Sequence, residues 1–184
     1  MDITLIISGG VLLGCLIALS WFAGSDAPYV PTKMEGIRKI LKLVGVKKGK
    51  KFYELGSGDG RVVLEAAKLG ADAVGIEQSL IRVLYSKWKT SKQKFAIAKK
   101  CKFQHGDIFK RKYSDADIVY IFLLQKGVNK LEEKLRKELK KGSIVITQTY
   151  HFKTWKPFKK EDLSKEFDFS KDIKGAGNFW LYRR

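Results

Sequence analysis

A run of eight residues, Tyr53-Glu54-Leu55-Gly56-Ser57-Gly58-Asp59-Gly60, constrains the fold more than any other part of the chain. It joins an apolar segment of β type, residues 51–55, to a segment of helical type, residues 61–69. Three glycines at alternate positions remove Cβ atoms from a sharp strand-to-helix turn, so that a ligand can approach the backbone at the helix N-terminus. The run therefore predicts a βα unit with a ligand site at its turn.

The acidic residues of this run narrow the choice of ligand. The chain has no Gly-x-x-x-x-Gly-Lys-Ser/Thr phosphate loop, and its Gly-x-Gly-x-Gly spacing differs from the dinucleotide fingerprint Gly-x-Gly-x-x-Gly. The carboxylate of Glu54, placed before the first glycine, suits a ligand with an amino group better than a bare pyrophosphate. On these residues alone, a plain glycine-rich turn without a ligand is the alternative.

Two further acidic residues follow the next predicted strands. Glu77 ends a strand at residues 73–76, where sheets of this type hold ribose hydroxyls. Asp107 follows a short strand at residues 102–104, where an acid can accept a hydrogen bond from an adenine amino group and Ile108 can pack on the ring. For Glu77, the alternative is an exposed loop acid.

The rest of the chain alternates between strand and helix patterns. Aromatic and basic residues interleave along a predicted helix at 80–98. We expect its lysines to face solvent, with nucleic-acid binding as the alternative. Its apolar face is expected to join the core, and that face includes Leu80, Val83, Leu84, Trp88, Phe95 and Ile97. Strands are predicted at 117–123 and 143–149, with a closing pair at 167–169 and 179–182. A helix is predicted between the first two strands, with its charged residues, Glu132 among them, on the solvent side. This order predicts an α/β, Rossmann-like, doubly wound sheet.

The N-terminal segment is uncharged from residue 3 to residue 25. A helix of that length is sufficient to cross a bilayer core of about 30 Å. A cleavable signal peptide is the alternative, but the segment lacks a positive n-region. All basic residues lie at or after Lys33, so the positive-inside rule places the following domain on the cytoplasmic side. We therefore expect a transmembrane anchor at 1–26, a linker and capping helix at 27–45, and one globular domain at 46–184.

The charge balance bears on partners and metals. The chain has 37 Lys and Arg against 19 Asp and Glu, a net charge of +18, which suits anionic lipid, nucleic acid or an acidic protein face. A lysine-rich solvated surface without a partner is the alternative. The two cysteines and two histidines lack the spacing of a metal site, so no metal is expected.

Taken together, these segments resemble a known family. Along the chain, the predicted anchor and the glycine run occur in a fixed order with four other motifs. The first, Pro28-Tyr29-Val30-Pro31-Thr32, lies between the anchor and the glycine run, and the other three follow the run: Gly75-Ile76-Glu77, Gly106-Asp107-Ile108-Phe109 and Asp117-Ile118-Val119-Tyr120. This order is similar to that of the membrane-anchored protein-lysine N-methyltransferases of the ATP synthase c subunit and the adenine nucleotide translocase, with their archaeal relatives. The resemblance covers residues 3–156. It implies a seven-stranded class I methyltransferase sheet with S-adenosylmethionine as the methyl donor.

The resemblance also implies roles for individual residues. The glycine run would hold the methionine end of the donor, Glu77 the ribose and Asp107 the adenine. The implied donor-binding set is Glu54, Gly56, Ser57, Gly58, Asp59, Gly60, Glu77, Gln78, Asp107 and Ile108. A channel for the acceptor lysine is expected from Tyr29, Thr32, Tyr150 and Trp155, for which packing in the core or at a membrane interface is the alternative. No residue stands out as a general base.

The expected partner is a membrane protein with an accessible lysine. The residues Leu123-Leu124-Gln125 replace the Asn/Asp-Pro-Pro-Tyr motif that base N-methylation would want, which argues against nucleic acid as the acceptor. The expected location is a membrane, in mitochondria if the chain is eukaryotic. Two alternatives stay open: a methyltransferase for a lipid or membrane-soluble small molecule, and a non-catalytic module that binds S-adenosylmethionine.

Overall fold

A computed structural model describes residues 3–22, 33–169 and 173–184. The helices are α1 (Ile3–Phe22), α2 (Met34–Leu43), α3 (Arg61–Lys68), α4 (Leu80–Ser91), α5 (Phe95–Ala98) and α6 (Gln125–Glu138). The strands are β1 (Lys51–Leu55), β2 (Asp72–Glu77), β3 (Cys101–His105), β4 (Ile118–Ile121), β5 (Ile144–Gln148), β6 (Lys159–Asp162) and β7 (Asn178–Arg183).

The described residues form one seven-stranded sheet with the order β3-β2-β1-β4-β5-β7-β6. Strands β1 to β5 pair in parallel, and β7 runs antiparallel to both β5 and β6. The chain proceeds from β1 outward to β3, then returns to the other side of β1 for β4 and β5. The order therefore reverses between β1 and β4, which is where a doubly wound sheet opens a ligand crevice. The predicted α/β, Rossmann-like sheet is confirmed.

Successive side chains of the central strands point to opposite faces of the sheet, so the core consists of two apolar layers, one on each face. Phe52 of β1 and Tyr120 of β4 face the layer that contains α2 and α3. Leu55 and Val119 face the opposite layer, where the apolar side of α6 packs. Because both faces are covered, the central strands are buried almost throughout, as expected for parallel strands.

Two predicted elements differ from the observed ones. The helix predicted at 80–98 ends at Ser91, and α5 is a separate turn of helix. Strand β6 lies at Lys159–Asp162 instead of at 167–169. Phe167 and Phe169 pack against the core from irregular backbone, so their alternation reflects burial of aromatic rings and not pairing in a sheet.

The predicted core face of α4 is only partly correct. Leu84 and Trp88 point to solvent, whereas Val83 and the polar residues Arg82 and Ser86 are buried. The reason is local, because Ser86 Oγ donates a 3.2 Å hydrogen bond to the Gly58 carbonyl and Arg82 pairs with Glu77. Contacts with the glycine turn therefore set the rotation of this helix about its axis.

Helix α1 is apolar, and its side chains are exposed from Ile3 to Leu16. Within the described ranges, no helix combines the length and the hydropathy that crossing a membrane requires. The predicted transmembrane anchor is therefore not supported by the structure.

The glycine turn provides the first testable prediction. Gly60 has a φ of 74°, and a Cβ there would lie 2.5 Å from Phe103 Cε1. Gly45 has a nearly equal φ of 76°, with no atom within 4 Å of its Cβ position. Gly60→Ala should therefore lower the free energy of unfolding by roughly 1–3 kcal/mol more than Gly45→Ala does, since only Gly60 adds overpacking to the backbone strain. Urea denaturation of both variants measures the difference, and equal losses would show that the turn has room for a side chain.

Candidate functional site

The acidic residues that follow the first three strands lie along one edge of the sheet. Strand β2 lies between β1 and β3, with Leu55 paired to Ile76 and Glu77 paired to His105. Glu54, Glu77 and Asp107 are thereby brought to the carboxyl ends of three adjacent parallel strands. The register of the sheet therefore places these three residues along one edge, and their roles in binding a donor stay predictions.

The glycine turn is tied to β2 by its backbone. The N–H groups of Gly56 and Ser57 both donate to the Ile76 carbonyl, at 2.9 and 3.0 Å. Gly56 and Gly58 have φ values of 82° and 53°, in the left-handed region that favours glycine. A Cβ on Gly75 of β2 would lie only 2.7 Å from Ser57 Oγ, so glycine is also needed on the neighbouring strand.

Glu77 connects the turn to α4. Its Oε2 accepts a 2.9 Å hydrogen bond from Gly58 N, and its Oε1 accepts a 3.0 Å bond from Ser79 N. Arg82 Nη1 lies 3.5 Å from the same Oε1. The carboxylate is buried, and each oxygen retains a second lone pair, so it can still accept a hydrogen bond from a ligand hydroxyl.

Glu54 is buried beneath the N-terminal turn of α3, where its Oε2 accepts a 3.2 Å hydrogen bond from Val63 N. Burial raises the pKa of this carboxyl well above its ordinary value, and the nearby charges of Asp59 and Glu77 add to the rise. The folded structure therefore favours the protonated form of Glu54 more strongly than the unfolded chain does. A cationic group on a ligand would favour its ionised form.

Asp59 differs from Glu54 and Glu77 because its carboxylate is hydrogen-bonded to two basic side chains of the protein. It accepts hydrogen bonds at 2.9 Å from both Arg61 Nε and Lys89 Nζ. Burial alone would raise the pKa of Asp59, but these two partners hold it below its ordinary value. Its evident role is to join the turn to α3 and α4, and a direct contact with the donor stays a prediction.

The residues after β2 and β3 form a second wall of the site. Asp107 Oδ1 accepts a 2.8 Å bond from Phe109 N, which closes a tight turn. The hydroxyl of Tyr113 donates to the Ile108 carbonyl at 2.6 Å. Gln78 is exposed, and its carbonyl accepts a 2.8 Å hydrogen bond from His105 Nε2. Gln78, Asp107 and Ile108 thus lie where an adenine site was predicted, and their individual roles stay predictions.

The sequence analysis missed Glu132. It was expected only to add a charge on the solvent side of α6, but it is buried and its carboxylate accepts backbone N–H bonds from residues 153 to 155. Burial opposes ionisation, yet these bonds and the Thr154 hydroxyl lower its pKa. Glu132 therefore fixes the segment after β5. Its neighbours in sequence are charged, so no pattern distinguished it.

The predicted acceptor channel is only partly described. Tyr29 and Thr32 lie outside the described residues. Trp155 is stacked on Phe152, with ring centroids 5.4 Å apart and planes 13° apart, and also contacts Tyr182. Tyr150 packs at the edge of the same apolar layer. These contacts favour the packed alternative for Trp155.

Another feature that the sequence did not indicate lies at the end of β5. The hydroxyl of Tyr120 donates to buried Gln148, whose Nε2 donates to the Ala176 carbonyl at 2.6 Å. Thr149 follows with a φ of 69°, an uncommon conformation for a β-branched residue. This strained residue lies at the carboxyl end of the sheet, where strain is often functional.

Comparison with known proteins agrees with this geometry. The family described as the ANTKMT methyltransferase domain matches residues 54–159, which is more than half of the chain. The chain belongs to this methyltransferase family. The match begins at the acid before the glycine turn and ends after β5, so it contains most of the site described above.

Curated relatives of this methyltransferase act on lysine. The chain is 33% identical over 130 residues to the human lysine N-methyltransferase of the ATP synthase c subunit, covering 71% of this chain and 54% of the human one. It is 33% identical over 132 residues to a protein-lysine N-methyltransferase of Saccharolobus islandicus, covering 71% of this chain and 81% of that one. The chain thus spans about half the length of the human relative and most of the archaeal one.

Solved structures support the fold and the cofactor. An RNA methyltransferase from Salinibacter ruber, in complex with S-adenosyl-L-homocysteine, is similar with a TM-score of 0.73 and 28% identity, over 84% of this chain and 93% of that one. A methyltransferase from Thiobacillus denitrificans has a TM-score of 0.57 at 20% identity, over 71% of this chain and 54% of that one, which shows the fold alone. S-adenosylhomocysteine is what remains of S-adenosylmethionine after methyl transfer, so S-adenosylmethionine is the cofactor of this methyltransferase.

The residues present fit that cofactor. Ser57 Oγ is buried and has no hydrogen-bond partner among the described residues, which leaves a hydroxyl available at the glycine turn. The turn itself lacks Cβ atoms where the backbone faces the crevice. Glu54 offers a carboxyl group for the amino group, and Glu77 offers acceptor lone pairs for the ribose hydroxyls.

The role of Glu77 is tested by Glu77→Gln. The amide replaces one acceptor oxygen with a donor, so it cannot serve both backbone N–H groups and a ribose hydroxyl. We expect affinity for S-adenosylhomocysteine, measured by titration calorimetry, to fall at least about ten-fold, or ~1.4 kcal/mol. Asp72→Asn, at the opposite end of β2, is the matched control. Unchanged affinity in a variant with a wild-type circular dichroism spectrum would overturn the ribose assignment.

The raised pKa of Glu54 predicts a pH dependence of stability. Its carboxyl holds a proton more tightly in the folded state than in the unfolded state, where the ordinary value is 4.5. Folding is therefore favoured at low pH, and this contribution is lost as pH rises above about 4.5, by up to about 1.4 kcal/mol per pH unit. The lowered pKa values of Asp59, Asp117 and Glu132 act in the opposite sense, at pH values near or below 4.5.

Glu54→Gln should therefore flatten the decline of unfolding free energy between pH 5 and pH 8, as measured by urea denaturation across that range. Glu65→Gln, which removes a carboxylate from α3, controls for the loss of one acidic group. An identical slope in Glu54→Gln and the wild type would show that Glu54 is already ionised when folded.

Proposed function

We propose that this methyltransferase transfers methyl groups from S-adenosylmethionine to lysine side chains of a membrane protein. The observation that carries the proposal is the match to the archaeal protein-lysine N-methyltransferase, of which this chain covers 81%. The relatives named for the ATP synthase c subunit and the adenine nucleotide translocase support a membrane protein as the acceptor.

For this reaction the site must align the methyl donor with the acceptor amine and exclude water. When bound, S-adenosylmethionine supplies a methyl group on a positively charged sulfur, already activated for displacement by an amine. The glycine turn and Glu77 orient the donor. A lysine amine is nucleophilic only when neutral, and deprotonation from a pKa of about 10.4 costs roughly 4.6 kcal/mol at pH 7. A desolvating site lowers that cost and aligns the amine.

The end of β4 provides an apolar wall for such a site. Leu123 Cδ2 would lie 3.1 Å from a Cβ on Gly56, so this leucine covers the glycine turn directly. Leu124 follows it and is partly exposed. These side chains have no groups that could pair with a nucleobase, which supports an aliphatic amine as the acceptor and argues against base methylation.

We further propose that α1 holds the enzyme at a membrane, with the catalytic domain on the cytoplasmic side or its equivalent. The apolar side chains of α1 are exposed to solvent in the described structure, including Leu5, Val11 and Leu16. Such a surface is stable only when covered, and lipid would cover it. All basic residues follow α1 in sequence, which supports the orientation.

Labelled methyl transfer tests the proposed function. Membranes from a strain that lacks this gene are incubated with the full chain and methyl-labelled S-adenosylmethionine, and protein, lipid and nucleic acid are then separated. We expect label in a discrete protein, with mass added in methyl units on lysine. Glu77→Gln is the control for donor-dependent transfer. Label confined to lipid or to nucleic acid would overturn the lysine assignment, and no label in any fraction would overturn the catalytic one.

A further inference from the structure

A cluster of large apolar side chains is exposed on the catalytic domain, far in sequence from α1. We call it the α4 surface. It consists of Leu80 (53% exposed), Leu84 (55%), Tyr85 (38%) and Trp88 (54%) on α4, with Phe95 (82%) at the start of α5. The spacing of Leu80, Leu84 and Trp88 places them on one side of the helix, so they form a continuous patch.

The outward direction of this patch is fixed by the site. On the opposite side of α4, Val83 is in the core and Ser86 donates to the Gly58 carbonyl. Lys89 pairs with Asp59 at 2.9 Å. Rotating α4 to bury Trp88 would break these contacts with the glycine turn. The exposure of the α4 surface is therefore built into the fold of the donor site.

The surroundings of the α4 surface are strongly basic. Residues 78–106 contain eight basic residues and no acidic one. Three of the eight pair with acids elsewhere, namely Arg82 with Glu77, Lys89 with Asp59 and Lys100 with Asp72. The others are the exposed lysines Lys87, Lys92, Lys94, Lys99 and Lys102. Lys92 Nζ lies 3.6 Å from the centroid of the Trp88 ring, so charge and aromatic surface meet at one point.

We propose that the α4 surface docks on an anionic lipid bilayer. Leucine and phenylalanine side chains would enter the interface, tryptophan and tyrosine would lie at the headgroups, and the lysines would bind lipid phosphates. Charge complementarity supports this occupant, since each lysine near such a surface contributes favourably. The backbone of the apolar helix α1 also runs close to α4, so lipid bound at one helix would be near the other.

This contact goes beyond attachment through α1, because it fixes the orientation of the catalytic domain. Leu80 begins α4 directly after Ser79, which is hydrogen-bonded to Glu77 at the donor site. One end of the α4 surface therefore adjoins the carboxyl edge of the sheet. Docking would hold that edge close to the lipid, within reach of a lysine that emerges near the membrane surface. The proposal makes no assumption about which acceptor is methylated.

Quenching of tryptophan emission by brominated lipid tests the contact in the full chain. The chain has four tryptophans, and Trp88 is the one on the α4 surface. The probe is vesicles of brominated phosphatidylcholine with brominated phosphatidylglycerol. We expect Trp88→Phe to remove a distinct part of the quenched emission, whereas Trp180→Phe on β7 leaves the quenched part unchanged. If Trp88→Phe leaves the quenching unchanged, Trp88 does not reach lipid and the proposal is wrong.

A charge-reversal pair tests the role of the lysines. Lys92→Glu with Lys94→Glu should weaken the Trp88-dependent quenching, raising the lipid concentration at half-effect at least about ten-fold on anionic vesicles. Lys47→Glu with Lys48→Glu makes the same change in net charge in the loop before β1, outside the α4 surface, and should act like the wild type. Equal effects of the two pairs would overturn the proposal. It would also be overturned if the chain formed a dimer without lipid and Trp88→Glu dissociated that dimer, because the α4 surface would then bind a second copy of the chain.

Discussion

The buried carboxylate of Glu77 is the interaction on which the other parts of the site depend. It accepts one hydrogen bond from the glycine turn, at Gly58 N, and another from the start of α4, at Ser79 N. Arg82 provides a nearby positive charge. Removing one partner of a buried charged network is costly, because the remaining groups stay in a low-dielectric environment without compensation. The strand end, the turn and the helix are thus held by one side chain, which also lies where the ribose of the donor is expected.

The buried carboxyl groups of Glu54, Asp59 and Glu77 are stabilised in three different ways. Glu77 is compensated by backbone N–H groups and Arg82, and Asp59 by Arg61 and Lys89. Glu54 forms no ion pair among the described residues, and although the charge of Arg61 lowers its pKa, burial raises that pKa well above its ordinary value. A donor with an amino group would supply the missing positive charge, so donor binding and ionisation of Glu54 are thermodynamically coupled. The positive charge of the bound donor would therefore compensate the negative charge that Glu54 carries when it is ionised.

Local patterns predicted the fold, and they identified the candidate donor-binding residues that the fold brings to one edge of the sheet, because the relevant information is local. The glycine run, the acid after β2 and the buried strand at β4 each carry their own signal, and parallel pairing then brings them together. Prediction failed where a side chain's environment depends on another element. Trp88 was expected in the core because its helix is amphipathic, but hydrogen bonds from Ser86 to the glycine turn direct it outward. Glu132 looked like one surface charge among many until the segment after β5 was placed against it. The raised pKa of Glu54 could not be predicted from the sequence for the same reason, since it results from burial of the carboxyl group in the folded protein.

A net charge of +18 would have two opposing effects on the lysine methylation that we propose. A positive potential repels the protonated side chain and slows its approach. The same potential lowers the pKa of a lysine that has entered the site, because a like charge disfavours the ammonium form, and the neutral amine is the nucleophile. The attachment to a membrane that we propose would resolve the conflict, since enzyme and acceptor would then share one surface and encounter would no longer depend on attraction in solution. Anionic lipid beneath the exposed lysines of the α4 surface would neutralise the charge that hinders approach, while Arg61 and Lys89 remain beside the glycine turn.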